Sequence, residues 1–261
     1  SLLSPLFVPA DRPERFAKAA ASGAGAIIVD LEDAVAPDAK AGARANLGHL
    51  PVDACPVLVR INSRASGWFE DDLAAVAASA AHGVVLPKAE EAADIAALRA
   101  LGEARAIVPL IETARGLAQL SSVLAAPGVT AAAFGSLDLA LDLGCEHTWE
   151  ALLMARSELV LRSRLVGLPA PVDGVTTALD EERAAADARR AAALGFGGKL
   201  AIHPRQVAPI QAAFRPSEAD IVWARRVIAA TRTGAAVRLD GAMIDAPLVA
   251  RARQILAASG G

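Results

Sequence analysis

Ile107-Val108-Pro109-Leu110-Ile111-Glu112 is an apolar, strand-like run closed by an acid, with helix-like sequence behind it. Val129-Thr130-Ala131-Ala132-Ala133-Phe134-Gly135-Ser136-Leu137-Asp138 repeats the arrangement. A buried parallel strand carries apolar residues on both faces, so an acid is expected only where the strand leaves the core. If the two runs are neighbours in a barrel, Glu112 and Asp138 stand at one mouth, one strand spacing apart. Two hard oxygen ligands held that way suit a magnesium ion that keeps its other positions for water and substrate.

Outward from this pair, short apolar runs alternate with Ala-rich amphipathic stretches. Strands are predicted at 6–9, 26–30, 57–61, 84–87, 107–111, 131–134, 171–175 and 199–202. Helices are predicted at 13–22, 38–47, 68–81, 90–100, 114–124, 148–166 and 181–194, with Gly23, Gly83, Gly102 and Gly195 read as helix stops. Repeated strand–helix units imply a parallel sheet, and eight of them imply a closed (β/α)8 TIM barrel of the α/β class. An open doubly wound sheet is the alternative, but no Gly-x-Gly-x-x-Gly follows the first strand. Polar residues fall where the strands end: Asp11 and Arg12; Asp30, Glu32 and Asp33; Arg60 and Asn62; Lys88; Glu112; Asp138; Asp173; and His203. Barrel enzymes build their active sites at that end.

The pattern changes after Pro204. Helices are expected over 204–214 and 217–231, an extended piece over 235–240 and a last helix over 248–258. Residues 1–214 are therefore read as the catalytic barrel and 215–261 as an extension packing on its own barrel or a neighbouring subunit's. The 261 residues are 54% hydrophobic and 21% charged, ample for one large core. A net charge of −3 gives no general reason to bind nucleic acid or an anionic membrane. The opening residues lack a basic start and a long apolar stretch, and no span-length apolar segment occurs, so neither a signal peptide nor a membrane span is expected. Cys55 and Cys145 lie far apart in no metal-ligand spacing, which favours a reduced, cytoplasmic setting.

Seven segments then fall into a known order: Phe7-Val8-Pro9-Ala10-Asp11-Arg12-Pro13, Val29-Asp30-Leu31-Glu32-Asp33, Val59-Arg60-Ile61-Asn62, Leu86-Pro87-Lys88-Ala89-Glu90, Ile111-Glu112-Thr113, Gly135-Ser136-Leu137-Asp138 and Ile202-His203-Pro204. In that order and spacing the chain resembles the citrate lyase beta subunit-like family of the HpcH/HpaI aldolase/citrate lyase superfamily. The resemblance implies a Mg2+-dependent carbon–carbon lyase or synthase acting on acyl-CoA thioesters and a small keto or hydroxy acid. It implies that Glu112 and Asp138 hold the metal, with Glu112 also facing substrate, and that Arg60 contacts the acid. It further implies that Asp245 is the acid/base, delivered from an adjacent subunit of a homo-oligomer, commonly a trimer. One departure stands out: many relatives carry Gly-Ala-Glu-Asp where this chain has Gly135-Ser136-Leu137-Asp138.

Other readings remain beside these. An acid after a strand can simply cap the next helix, and Asp245 is well placed to cap the final one, with Pro247 in its first turn. Asp30, Glu32 and Asp33 either orient water and Arg60 or fix their own loop. Arg12 and Lys88 either meet coenzyme A phosphates or pair with those acids. Lys88 also offers a metal-free route, since a desolvated lysine at a barrel mouth can form a Schiff base. A beta subunit acting on a carrier protein, and a thioester-binding protein without catalysis, complete the alternatives.

Overall fold

The computed structural model describes residues 2–102, 104–231, 237–239 and 242–259. Eight parallel strands run in chain order: β1 (Pro5–Pro9), β2 (Ala26–Asp30), β3 (Val57–Arg60), β4 (Gly83–Leu86), β5 (Ala106–Ile111), β6 (Ala133–Phe134), β7 (Val172–Asp173) and β8 (Gly198–Lys199). A bridge between Leu6 and Ala201 closes β8 onto β1, with Phe7 N–H donating to Ala201 O at 2.9 Å. The fold is a (β/α)8 barrel, as the alternation predicts. The strands are apolar because they are covered twice, by the barrel interior and by the helices; every residue of β2, β3 and β4 is buried.

Successive side chains of a strand point to opposite faces. Ile28, Leu58, Val85, Val108, Leu110, Ala133, Val172 and Leu200 pack together as the interior. Asp30, Arg60 and Glu112 stand two residues beyond Ile28, Leu58 and Leu110, so they share the inward phase. Lys88, Asp173 and Lys199 are out of phase with the interior residues of their strands. This parity decides which strand-end polar groups meet.

Several expected elements change on inspection. Gly83 is not a helix stop: it is the first residue of β4, where a Cβ would lie 2.3 Å from Ala106 O. The helix before it, Phe69–Ala78, has already ended. Gly23, Gly102 and Gly195 do take the left-handed backbone a stop requires, with φ of +80°, +82° and +108°. The expected 114–124 helix is two short ones, Ala114–Ala118 and Leu120–Leu124, which meet at Gln119. A helix absent from the predicted set, Ser136–Leu143, begins directly behind β6.

The chain divides into two compact units, Ser1–Ala212 and Ala213–Gly261. Within the second, the helices Glu218–Thr231 and Ala246–Ala258 pack through Ala224, Val227 and Ala252, and Ile244, just before the last helix, joins the cluster. A two-stranded antiparallel pair, β9 (Val237–Leu239) and β10 (Ala242–Ile244), lies between them in sequence. Residues 235, 236 and 240 of the expected extended piece lie outside the described residues. Among the described residues, no helix is long and apolar enough to cross a membrane.

Candidate active site at the barrel mouth

A cavity of about 380 Å3 opens at the C-terminal ends of the strands, and Asp30, Asp33, Arg60, Glu112 and Asp138 all line it. Phe7, Leu110 and Leu200 form its apolar floor. Register puts the two acids together. Leu110 pairs with Ala133 and Ile111 with Phe134, so Glu112 emerges level with Gly135. Three residues on, Asp138 sits in the first turn of the helix Ser136–Leu143, where the helix dipole favours a negative charge.

Glu112 is 1% exposed. Its Oε1 accepts the backbone N–H of Lys88 at 2.8 Å. Its Oε2 faces Gly135, whose place no larger residue fits: an added Cβ would stand 2.3 Å from Oε2. Burial, followed by the negative charges of Glu32 and Asp138, pushes the Glu112 carboxyl well above the usual carboxylate range. Such a group carries its charge comfortably only beside a cation.

Arg60 is 9% exposed and held by three acids. Asp30 takes Nε and Nη2; Nη1 lies 3.0 Å from Glu32 Oε2 and 3.4 Å from Asp33 Oδ2. The Phe7 ring covers the guanidinium, its centroid 4.9 Å away. Burial opposes the Arg60 charge, but the hydrogen bonds and charges of Asp30, and then Glu32 and Asp33, raise its pKa. Asp30 is itself locked, its two oxygens accepting the N–H groups of Glu32 and Ala34. Lys40 pins the same loop by donating to Leu31 O and Glu32 O. Asp33 differs, with a side chain 59% exposed and the longest contact of the three.

Lys88 does not reach this cavity. It takes a left-handed backbone (φ 50°), and its ammonium pairs with Glu32 Oε1 at 2.8 Å. It lines a separate cavity with Arg64, Glu90, Glu91 and Asp94. Burial works against its charge, yet Glu32 outweighs it and the pKa is raised. A Schiff-base lysine needs the opposite, a neutral amine, so the geometry speaks against the metal-free route. Arg12 is exposed, and among the described residues its side chain pairs with Asp11, at 3.9 Å. Asp245 lies in the second unit and caps the helix Ala246–Ala258, its Oδ1 accepting Leu248 N–H at 3.2 Å. His203 caps the turn Pro204–Gln206 through the N–H of Arg205.

Among the described residues, no three His, Cys, Asp or Glu side chains converge as a metal cage. Magnesium commonly takes one or two carboxylates and completes its shell with water and substrate oxygens. The donor set, two carboxylates that line one cavity, fits such an ion. Leu137 occupies the departure noted in the sequence; it is 44% exposed and lines the cavity. His147 Nε2 lies 2.9 Å from Ser136 Oγ, at the start of Asp138's helix. No local motif announces that contact; it depends on the fold.

A parallel barrel with acids converging at its C-terminal mouth is the frame of a carbon–carbon lyase. The chain belongs to the HpcH/HpaI aldolase/citrate lyase family, whose model matches residues 3–204. It is 39% identical over 264 residues to a citrate lyase subunit beta-like protein of Mycobacterium tuberculosis, covering 98% of this chain and 94% of the relative. It is 36% identical over 271 residues to a (3S)-malyl-CoA thioesterase of Cereibacter sphaeroides, covering 97% and 93%. The crystal structure of CitE from Mycobacterium tuberculosis in complex with magnesium, acetoacetate and coenzyme A superposes with a TM-score of 0.91 at 37% identity, covering 99% and 98%.

Proposed function

We propose that the chain is a magnesium-dependent lyase or synthase that makes or breaks a carbon–carbon bond next to the carbonyl of an acyl-CoA thioester, with citramalyl-, malyl- or citryl-CoA-like substrates. One observation carries the reading: a deeply buried Glu112 and the helix-borne Asp138 line the same cavity as Arg60. Glu112 and Asp138 would hold the ion, which when bound supplies Lewis acidity toward the oxygen of a keto or hydroxy acid. Arg60 offers its Nη1 to the carboxylate of that acid, and its charge is assured by Asp30. In the cleavage direction Asp245 takes the proton of the substrate hydroxyl as the bond to the thioester α-carbon breaks. A keto acid and a thioester enolate result, and Asp245 returns a proton to the α-carbon. In synthesis the same groups run in reverse.

Asp245 is proposed to arrive from a neighbouring copy in a homo-oligomer, a trimer by analogy with the family. The CitE structure crystallised with magnesium, acetoacetate and coenzyme A supports the ligand classes. The thioesterase relative adds a second arm, hydrolysis of the thioester after condensation. The test is a screen of purified protein against several acyl-CoA thioesters with glyoxylate, pyruvate or oxaloacetate, with magnesium and with EDTA, following both the keto acid and free coenzyme A. Magnesium-dependent turnover of a free thioester supports the proposal and removes the need for a carrier protein. Turnover insensitive to EDTA, or none with any thioester, counts against it.

A further inference from the structure

The out-of-phase residues Asp173 and Lys199 point away from the barrel interior, toward the helix Leu153–Leu165. That helix supplies Arg156, and the three meet with exposures of 0%, 1% and 4%. Asp173 Oδ1 accepts from Arg156 Nε at 2.8 Å and Oδ2 from Lys199 Nζ at 3.0 Å. Lys199 spends a second donor on Gly174 O, at 2.6 Å. Two buried cations thus share one buried anion. At the rim Arg183 and Asp187 cancel each other, 3.2 Å apart.

The guanidinium of Arg156 is under-used. It is held between the rings of Trp149 and Phe134, with centroids at 4.4 and 5.0 Å. Its Nη1 is buried without a hydrogen-bond partner among the described residues. A buried donor on a charged group left unsatisfied costs more than an ordinary one. Arg156 and Lys199 both line a cavity of about 190 Å3, together with His147, Trp149, Thr177 and Arg183. The positive potential is felt next door: burial, then Arg156 and Lys199, lower the pKa of His147.

We propose that this cavity binds a compact oxyanion, a carboxylate or an inorganic phosphate, on the terminal nitrogens of Arg156 and the remaining donor of Lys199. A planar guanidinium fork is suited to either, and one negative charge there balances the surplus positive one. The site is separate from the barrel mouth and stands whether or not the mouth holds a metal. It does touch it: His147 on its wall meets Ser136, which opens the helix carrying Asp138.

Calorimetric titration of the full chain in EDTA, at constant ionic strength, tests this with sodium phosphate and, separately, sodium malonate as probes. Saturable one-site binding of either probe is expected; phosphate alone or malonate alone identifies the source of the anion. Thr177→Glu places a carboxylate on an exposed position of the cavity wall, and Arg156→Gln removes the fork. Each is expected to weaken binding about tenfold or more, the scale of a charged hydrogen bond. Thr177→Glu keeps the test decisive if the buried Arg156→Gln variant does not fold. No saturable binding of either probe overturns the proposal. So does binding that survives Thr177→Glu and disappears in Arg60→Gln, since it would belong to the barrel mouth.

Discussion

Asp30 grips Arg60 through both of its oxygens, with Arg60 Nε 2.7 Å from Oδ1 and Nη2 2.6 Å from Oδ2. The pair spans β2 and β3, whose register sets Asp30 directly against Arg60. A fork–fork contact of this kind fixes the guanidinium plane as well as its charge. The third nitrogen of Arg60, Nη1, lies against Glu32 and Asp33, and it is the one proposed to meet an incoming acid.

Replacing Asp30 with Asn therefore has two expected effects. The buried guanidinium loses its main counter-charge, at a cost of about 3 kcal/mol in unfolding free energy. Its orientation loosens too, and kcat/KM falls about 100-fold, the scale of a small misplacement at a reacting centre. Urea unfolding and steady-state kinetics on the same preparation measure both. Unchanged kinetics would show that Arg60 needs no such orienting partner.

Gly135→Ala probes the close approach of the Gly135 backbone to Glu112. The added Cβ has no room, at 2.3 Å from Oε2 and 2.4 Å from the Glu112 Cβ, so the carboxylate must move. Magnesium affinity is expected to fall about 10- to 100-fold, the usual effect of disturbing the support of a ligand. Titration with magnesium checks it, and wild-type affinity in the variant would show that Glu112 does not bind through this oxygen.

Glu112→Gln separates stability from metal binding. Burial raises the Glu112 pKa, so in EDTA its ionisation opposes folding. The penalty is absent at low pH, where folded and unfolded chains are both protonated, and grows as the pH climbs toward the folded-state value. In EDTA at neutral pH the Gln variant is expected to melt at or above the wild-type temperature. Adding magnesium should raise the wild-type Tm by mass action and leave the variant's unmoved. Thermal melts with and without the ion decide; a variant less stable than wild type in EDTA contradicts the account.

Lys88, paired with Glu32 and kept charged, is expected to form no adduct. Borohydride treatment in the presence of pyruvate should leave the intact mass unchanged. A mass increase that vanishes in Lys88→Met would restore the Schiff-base route.

The barrel itself was legible because its strands are largely buried on both faces and a polar residue follows each one. The pairing of β5 with β6 followed from chain order, and with it the approach of Glu112 and Asp138. Among the residues on or directly beyond the strands, Asp30, Arg60 and Glu112 share the phase of the interior and face the mouth, while Asp33 and Asp138 reach it from the loop and helix that follow. Counting in twos from Leu58 to Arg60 and from Leu110 to Glu112 selects the in-phase residues, while Asp173 and Lys199 fall on the other face. Arg156 was not foreseeable, since a helix arginine looks solvated until the fold buries it against Trp149 and Phe134. Gly83 misled because a glycine after a helix commonly stops it, whereas here close contact with Ala106 requires the missing side chain.

The central claim is that one divalent ion sits between Glu112 and Asp138. Manganese, soaked into crystals in place of magnesium and located by its anomalous scattering, tests this most directly. The account predicts a single strong peak at the barrel mouth, about 2.0–2.3 Å from one oxygen of each carboxylate, near the distances hard cations of this size prefer. A peak among Glu90, Glu91 and Asp94 instead, or none at the mouth at saturating manganese, would contradict it.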